Sequence, residues 1–278
     1  MMFILVVICI LIICFFFLYS KEKFINYTNN KIPLILFKTG PFDILPNNIL
    51  EIINSNCRLL NCNYEYYNDD NCRLFIKHNY NNNILKAYDS LIPTAYKADL
   101  FRYCILYKYG GIYGDLTQTN LKKIDFNKNN IDMLLVKDRN VCFNSNNIQI
   151  SFMATKPKNN FYKFVIDNIS QNILEKKKGI CSLDITGPRA FGRLFCDFFK
   201  VKNIKFGFNI YLGLDNEKYR INIPFYMLND DYICDIYNNK KIIKNKIINH
   251  NQLIYKTNNS VNNKNKYKYQ WNNNILFR

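Results

Sequence analysis

Thr94-Ala-Tyr-Lys-Ala-Asp99-Leu-Phe-Arg102-Tyr-Cys-Ile-Leu-Tyr-Lys-Tyr109-Gly110-Gly111-Ile-Tyr113-Gly-Asp115-Leu-Thr117 is the stretch on which the fold turns. Thr94 to Tyr109 has the length of a helix, with Ala95, Ala98, Phe101, Ile105 and Leu106 spaced by threes and fours as an apolar stripe. Thr94 would cap it after Pro93, and Gly110-Gly111 would end it. Ile112-Tyr113 then opens a strand that breaks at Gly114-Asp115. Asp99 and Arg102, at i and i+3, share a helix face. Alone they read as a surface ion pair, worth about 0–1 kcal/mol. The strand after the double glycine changes that reading. Open α/β sheets hold their ligands at the C-terminal edges of parallel strands, and Asp115 stands at such an edge.

Towards the N-terminus, Ile32 to Phe37 is an apolar run of strand length, ended by Thr39-Gly40-Pro41. Asn48 to Asn54 has helical spacing, Asn63 to Tyr67 reads as a second strand, and Asp69-Asp70 opens a second helix. Strand and helix alternating at this spacing predict an α/β unit with a parallel sheet. Further on, strands are expected at Asp132 to Val136 and Ile148 to Ala154, and amphipathic helices at Asn160 to Leu174 and Pro188 to Phe199. The β-leaning segments Ile204 to Leu212, Tyr219 to Leu228 and Tyr232 to Tyr237 close the unit. No internal repeat and no dividing linker stands out, so residues 32–237 are expected to be one domain, followed by a basic Asn/Lys-rich segment at 238–278.

Composition narrows the function classes. The 278 residues are 49% hydrophobic and 16% aromatic, ample material for a core, which excludes a disordered chain. The net charge of +17 invites an anionic partner, but the 238–278 segment alone holds eight Lys and one Arg with no acid. No nucleic-acid-binding motif accompanies the charge, so no nucleic-acid partner is expected. The chain has two His and no C-x-x-C pair, which excludes zinc-finger geometry. Its cysteines leave the redox compartment open; Cys104 and Cys196 fall in helical apolar patterns and read as core residues.

Met1 to Ser20 is uncharged and almost wholly apolar. A 20-residue helix spans ~30 Å, the thickness of a bilayer core. No basic residue precedes the run and no small-residue cleavage site follows it, as a signal peptide would require, so it reads as an uncleaved anchor joined by a 21–31 linker. Lys21 and Lys23 favour a cytoplasmic domain, whereas the sequons at Asn26, Asn168 and Asn258 would suit a lumenal one. The expectation is a single-pass protein of an endomembrane or a virion membrane, its orientation open.

The Ala95 to Asp115 stretch resembles the DxD-motif sugar-nucleotide glycosyltransferases, specifically glycosyltransferase family 32, which includes yeast initiating mannosyltransferases; clostridial toxin glucosyltransferase domains carry a related motif. The shared pattern is A-x-K-[SA]-D-x-x-R-Y-x-x-L-x-x-x-G-G-[IV]-Y-x-D. Ile32-Pro33 with Thr39, Tyr64-Glu65-Tyr66 with Asp69-Asp70, Ser151 to Pro157, and Thr186-Gly187-Pro188 resemble flanking family segments. The resemblance covers roughly residues 32–190. It implies a GT-A-like fold, a UDP- or GDP-sugar donor, a divalent Mn²⁺ or Mg²⁺, a glycan, protein or lipid acceptor, and retention of anomeric configuration. It also implies roles. Asp99 and Arg102 would contact the donor sugar, and Asp115 would face ribose, sugar and metal. Thr39, Gly111 and Tyr113 would shape the donor site.

One position departs from the family. The second Asp of DxD is Thr117, a neutral and weaker ligand for a hard cation. Metal binding would then be weakened, completed by another group such as His250 or Asp230-Asp231, or lost. Set against these are a solvated loop histidine and an ordinary acidic turn. A non-catalytic homologue that binds a nucleotide or a glycan is the rival to an enzyme.

Overall fold

The computed structural model describes residues 31–140, 146–229, 231–245 and 267–278. The Met1 to Ser20 run, nearly all of the 21–31 linker, the sequons at Asn26 and Asn258, Asp230 and His250 lie outside the described residues. Among the described residues no helix is long and apolar enough to cross a membrane.

The chain opens with β1 (Ile35–Thr39), α1 (Asn47–Leu60), β2 (Asn63–Tyr67) and α2 (Asp69–Asn79), the expected alternation. β1 is buried along nearly its whole length, as a strand covered on both faces must be. Asn68 caps α2 by accepting from the Asn71 amide at 2.8 Å, and Asp69 and Asp70 lie in the first turn, where the helix dipole favours acids. α3 (Asn82–Ser90) follows, capped by Asn81, and then α4 (Thr94–Tyr109).

α4 departs from the expected stripe. Tyr96 and every residue from Asp99 to Leu106 are buried, while Ala95 is exposed and Ala98 half-buried. The helix is central, covered on several sides by α2, α5 and the sheet, so a one-sided stripe does not describe it. Thr94 does not cap it: Pro93 holds the cap position, with no side-chain hydrogen bond, and Thr94 begins the helix proper. Gly110 and Gly111 end it at φ of +66° and +93°; a side chain at Gly110 would meet the Pro157 backbone nitrogen at 2.5 Å.

The remaining elements are β3 (Gly111–Gly114), β4 (Thr119–Asn120), β5 (Met133–Lys137), β6 (Ile148–Thr155), α5 (Asn160–Leu174), α6 (Pro188–Phe199), β7 (Gly207–Leu212), β8 (Lys218–Leu228), β9 (Tyr232–Asp235), β10 (Lys241–Lys244) and α7 (Tyr267–Asn272). The strands join one sheet in the order β2-β1-β3-β6-β5-β8-β9-β10-β4, with β7 beside β8. β1 runs parallel to β2 and β3, and β5 parallel to β8; every other pairing is antiparallel. The sheet is therefore mixed rather than parallel. β5 and β6 are joined too briefly for the crossover a parallel pair needs.

The helical face of the sheet carries the larger core, in which Phe161 meets Phe191, Phe195, Phe198 and Phe199 at ring distances of 5.1–5.6 Å. Leu36, Ile112, Phe126 and Phe152 belong to a second core. The fold also runs past residue 237. β10 pairs with β9 and β4, and the chain end returns beside α3 and α4: the Ile92 amide donates to the Leu276 carbonyl at 2.9 Å, and Leu276 is buried. In its described parts the 238–278 segment is structure, not an appended basic tail.

Candidate active site

β1, β2 and β3 point their C-terminal ends the same way, and Asp115 directly follows β3. The Asp115 amide donates to the Ser151 carbonyl at 2.9 Å, tying the turn to β6. Its carboxylate side chain is 43% exposed. It looks into a cleft of about 270 Å³ whose lining includes Asp99, Arg102, Gln149, Ser182, Pro188 and Tyr267.

Arg102 organises the floor of this cleft and is itself buried. Its guanidinium donates to the Ile150 carbonyl at 2.6 Å, lies 3.1 Å from the Asp99 carboxylate and 3.3 Å from that of Asp115, and stacks 4.4 Å from the Tyr113 ring centre. A planar fork of donors can serve these partners at once, which a single ammonium cannot. Asp99 spends its other oxygen on the Thr186 hydroxyl at 2.8 Å, and the Thr186 carbonyl accepts from Tyr103 at 2.6 Å. The α4 pair is thus a buried network, not the surface ion pair that the i, i+3 spacing alone suggests. Burial pushes the Asp99 carboxyl up to about 6, against the opposing pull of Arg102 and Thr186. At Arg102 burial works against the charge, but Tyr113, Asp115 and Asp99 together hold its pKa above the ordinary value.

Thr39 and Tyr113 stand one layer behind. Their hydroxyls are 3.0 Å apart, and the buried Tyr113 ring supports the guanidinium from below. Gly111 lies deeper still. A side chain there would meet the Ile35 carbonyl at 2.9 Å, so its part is to let β3 approach β1.

Thr117 is tied to the residue that follows β10. Its hydroxyl donates to the Asn245 carbonyl at 3.2 Å. Among the described residues, no group of three His, Cys, Asp or Glu comes together as a metal cage. Asp115 is the carboxylate that opens into the cleft at the motif. That donor set fits a hard dication only in the mode where one carboxylate and a substrate's phosphate oxygens share it.

Several groups around the site lie outside the motif. Lys38 is buried and donates to the Asp115 carbonyl at 2.8 Å; burial lowers its pKa to about 8 although Asp115 pulls it up. Asn56 of α1 donates to the Gln118 carbonyl and accepts from the Asn120 amide, both at 2.8 Å. Gln118 donates to Ser151 and to the Asn245 side chain at 2.9 and 2.8 Å. The turn after β3 is therefore held from below by residues distant in sequence. Lys38 and Asn56 carry no sequence signal for this, one hidden in a strand and the other in an Asn-rich chain.

Residues 45–140 match the family described as "Glycosyltransferase sugar-binding region containing DXD motif". The chain is 37% identical over 81 residues to the initiation-specific alpha-1,6-mannosyltransferase of Candida albicans, covering 28% of this chain and 21% of that protein. It is 38% identical over 100 residues to the inositol phosphoceramide mannosyltransferase 3 of Schizosaccharomyces pombe, covering 35% of this chain and 27% of that one. An uncharacterized glycosyltransferase of Acanthamoeba polyphaga mimivirus is 30% identical over 117 residues, covering 41% and 45%. The chain thus spans between about a fifth and under a half of the length of these relatives. Among solved structures it is similar to the PaToxG glycosyltransferase, at 11% identity and a TM-score of 0.45, covering 60% of this chain and 69% of that one. The resemblance read from Ala95 to Asp115 is borne out by the match of residues 45–140 to that DXD-motif family and by the two mannosyltransferases.

Proposed function

We propose that the protein transfers a sugar from a nucleotide-sugar donor to a glycan, protein or lipid acceptor, on a GT-A-like domain anchored to a membrane by Met1 to Ser20. The observation that carries this reading is the Asp99–Arg102–Asp115 network at the floor of the cleft, inside the region that matches the family. The cleft is slightly smaller than the ~300–1,000 Å³ of a typical small-molecule pocket, which suits the sugar end of the donor.

In this reading Asp99 accepts hydrogen bonds from donor sugar hydroxyls, and Arg102 fixes Asp99 and Asp115 in register for them. Tyr113 and Thr39 keep the guanidinium in plane. Lys38 holds the backbone of the Asp115 turn and adds positive charge beneath the diphosphate. Asp115 would hold a divalent ion, whose chemistry would be to offset the charge that develops on the leaving group. The chain's own share of the rate is then chiefly positioning, which well-oriented groups can make worth ~7–11 kcal/mol. Retention of anomeric configuration belongs to the same proposal.

Thr117 supports the rival, a homologue that binds a nucleotide or a glycan without turning it over, because its hydroxyl brings no negative charge and is engaged by Asn245. Thermal unfolding of the full chain with a panel of UDP- and GDP-sugars, with and without Mn²⁺, tests both. A rise in midpoint with one donor is expected. No shift with any donor, with or without metal, would overturn donor binding altogether. A shift without release of nucleoside diphosphate would favour the rival.

A further inference from the structure

On the side of the sheet away from the cleft, α1 ends at an unusual juxtaposition. Asn61 takes the left-handed conformation, at φ 51° and ψ 51°, and turns the chain back on itself. Its amide and that of Cys62 both point at the Cys57 carbonyl, the latter at 3.0 Å. The turn lays Cys62 over Cys57, the last turn of a helix against the residue that leads into β2. Both thiols are free and half-buried, and both line an open cavity of about 510 Å³ with Leu34, Asn54 and Arg58. The other free cysteines among the described residues are placed differently. Cys72, Cys104 and Cys234 are buried, and Cys196 is half-buried without a cysteine beside it in the chain.

We propose that Cys57 and Cys62 form a dithiol site that is oxidised to an intramolecular disulfide by exchange with a low-molecular-weight disulfide. The two sulfurs are unequal. Cys62 donates a hydrogen bond to the Cys57 sulfur, which holds the Cys57 thiol below its ordinary pKa; burial opposes this and the nearby Lys38 ammonium assists. The same hydrogen bond, with burial, keeps the Cys62 proton on. Cys57, in the last turn of α1, is assigned the first attack, an order the variants below test. Its thiolate displaces one thiolate from RS–SR and forms a Cys57 mixed disulfide. Cys62, losing its proton to the released thiolate or to water, attacks the Cys57 sulfur and expels the second RS⁻, which leaves as RSH. The balance is two protein thiols and one RSSR giving one protein disulfide and two RSH. A bridge across this short turn would staple α1 to the entry of β2, next to Asn56, which holds the backbone at Gln118 and Asn120.

The proposal stands independently of the glycosyltransferase reading, and its test needs no activity. The full chain is incubated with oxidised glutathione, its remaining thiols are blocked with N-ethylmaleimide, and it is digested with trypsin without reduction. Cleavage after Arg58 puts Cys57 on one peptide and Cys62, together with Cys72, on the next; only a disulfide holds the two peptides together, and N-ethylmaleimide added in denaturant marks Cys72 when the bridge is to Cys62. Expected are the linked pair in wild type and a trapped glutathione adduct on Cys57 in Cys62→Ser. Alkylation of both cysteines in oxidised wild type, to the same extent as in untreated protein, would overturn the site. In Cys57→Ser, a glutathione adduct on Cys62 as abundant as that on Cys57 in the other variant would overturn the assigned order of attack.

Discussion

Arg102→Lys keeps the charge and removes the fork. The guanidinium serves the Ile150 carbonyl at 2.6 Å, Asp99 at 3.1 Å and Asp115 at 3.3 Å, and stacks on Tyr113. An ammonium on a thinner stem reaches one or two of these. A buried carbonyl left without a donor costs about 1–3 kcal/mol, and losing the stacked cation about 0.5–2 kcal/mol. Stability should therefore fall by about 2–4 kcal/mol, read as the shift in a urea or guanidinium midpoint at constant slope. Donor hydrolysis should fall at least tenfold in kcat/KM, equivalent to ~1.4 kcal/mol of transition-state stabilisation. That rate is measured well below the denaturation midpoint, so that unfolding does not masquerade as lost chemistry. Wild-type stability together with wild-type kinetics would refute the network and return the pair to a surface ion pair. Lost stability with unchanged kinetics would make Arg102 a structural residue only.

Three further outcomes follow from the same geometry. The Asp99 carboxyl, raised to about 6 from the usual 3.8, gives the folded state the tighter hold on its proton between those values. Its contribution to stability should therefore decline as pH rises from about 4 to about 6 and level off above, while kcat/KM for donor hydrolysis climbs through about 6; Asp99→Asn should flatten the stability slope, and an unchanged slope would show that another group is responsible. Thr117→Asp restores a carboxylate and gives up the hydrogen bond to Asn245, so Mn²⁺ should bind more tightly in the presence of a nucleoside diphosphate; isothermal titration showing equal or weaker binding would rule out this position as a ligand. Deleting residues 1–23 should leave a folded domain, because the described core begins with the buried Ile32; aggregation of the truncated chain under conditions where the full chain stays folded in detergent would make the apolar run part of the fold.

Much of the architecture is legible in the sequence because period and punctuation agree. β2, α5 and α6 fall where their apolar spacing and flanking Gly, Pro and Asn put them, and α4 has the bounds that Pro93 and Gly110 set. What sequence spacing misses is decided by tertiary contact. α3 is announced only by Asn81, and a capping Asn is inconspicuous among 45 others of its kind less one. β4 has two residues and exists because β10 pairs with it, and β10 lies in a stretch whose lysines read as a tail. The sheet's mixed direction rests on connection lengths and on which edge each strand joins, which no local period encodes.

The site divides in the same way. Asp99, Arg102 and Asp115 lie close in sequence within one helix–strand unit, so a motif can carry them, and the structure brings the three together. Their partners Thr186, Ile150 and Lys38 come from outside that unit, as does Asn56, which holds the turn at Gln118 and Asn120. Burial is the other quantity the spacing conceals. An i, i+3 acid–base pair looks the same in sequence on an exposed face and on a central helix, yet the second raises Asp99 towards neutrality and makes both side chains structural as well as chemical.

In the proposed function the network ending in Asp115 turns over a nucleotide sugar. Release of nucleoside diphosphate from UDP- and GDP-sugars by the full chain in the presence of Mn²⁺, compared with Asp115→Ala at equal folded concentration, tests it most directly. Wild type should release it from at least one donor, and the variant should lose at least tenfold. Release from no donor by wild type, or equal release by both proteins, would contradict it.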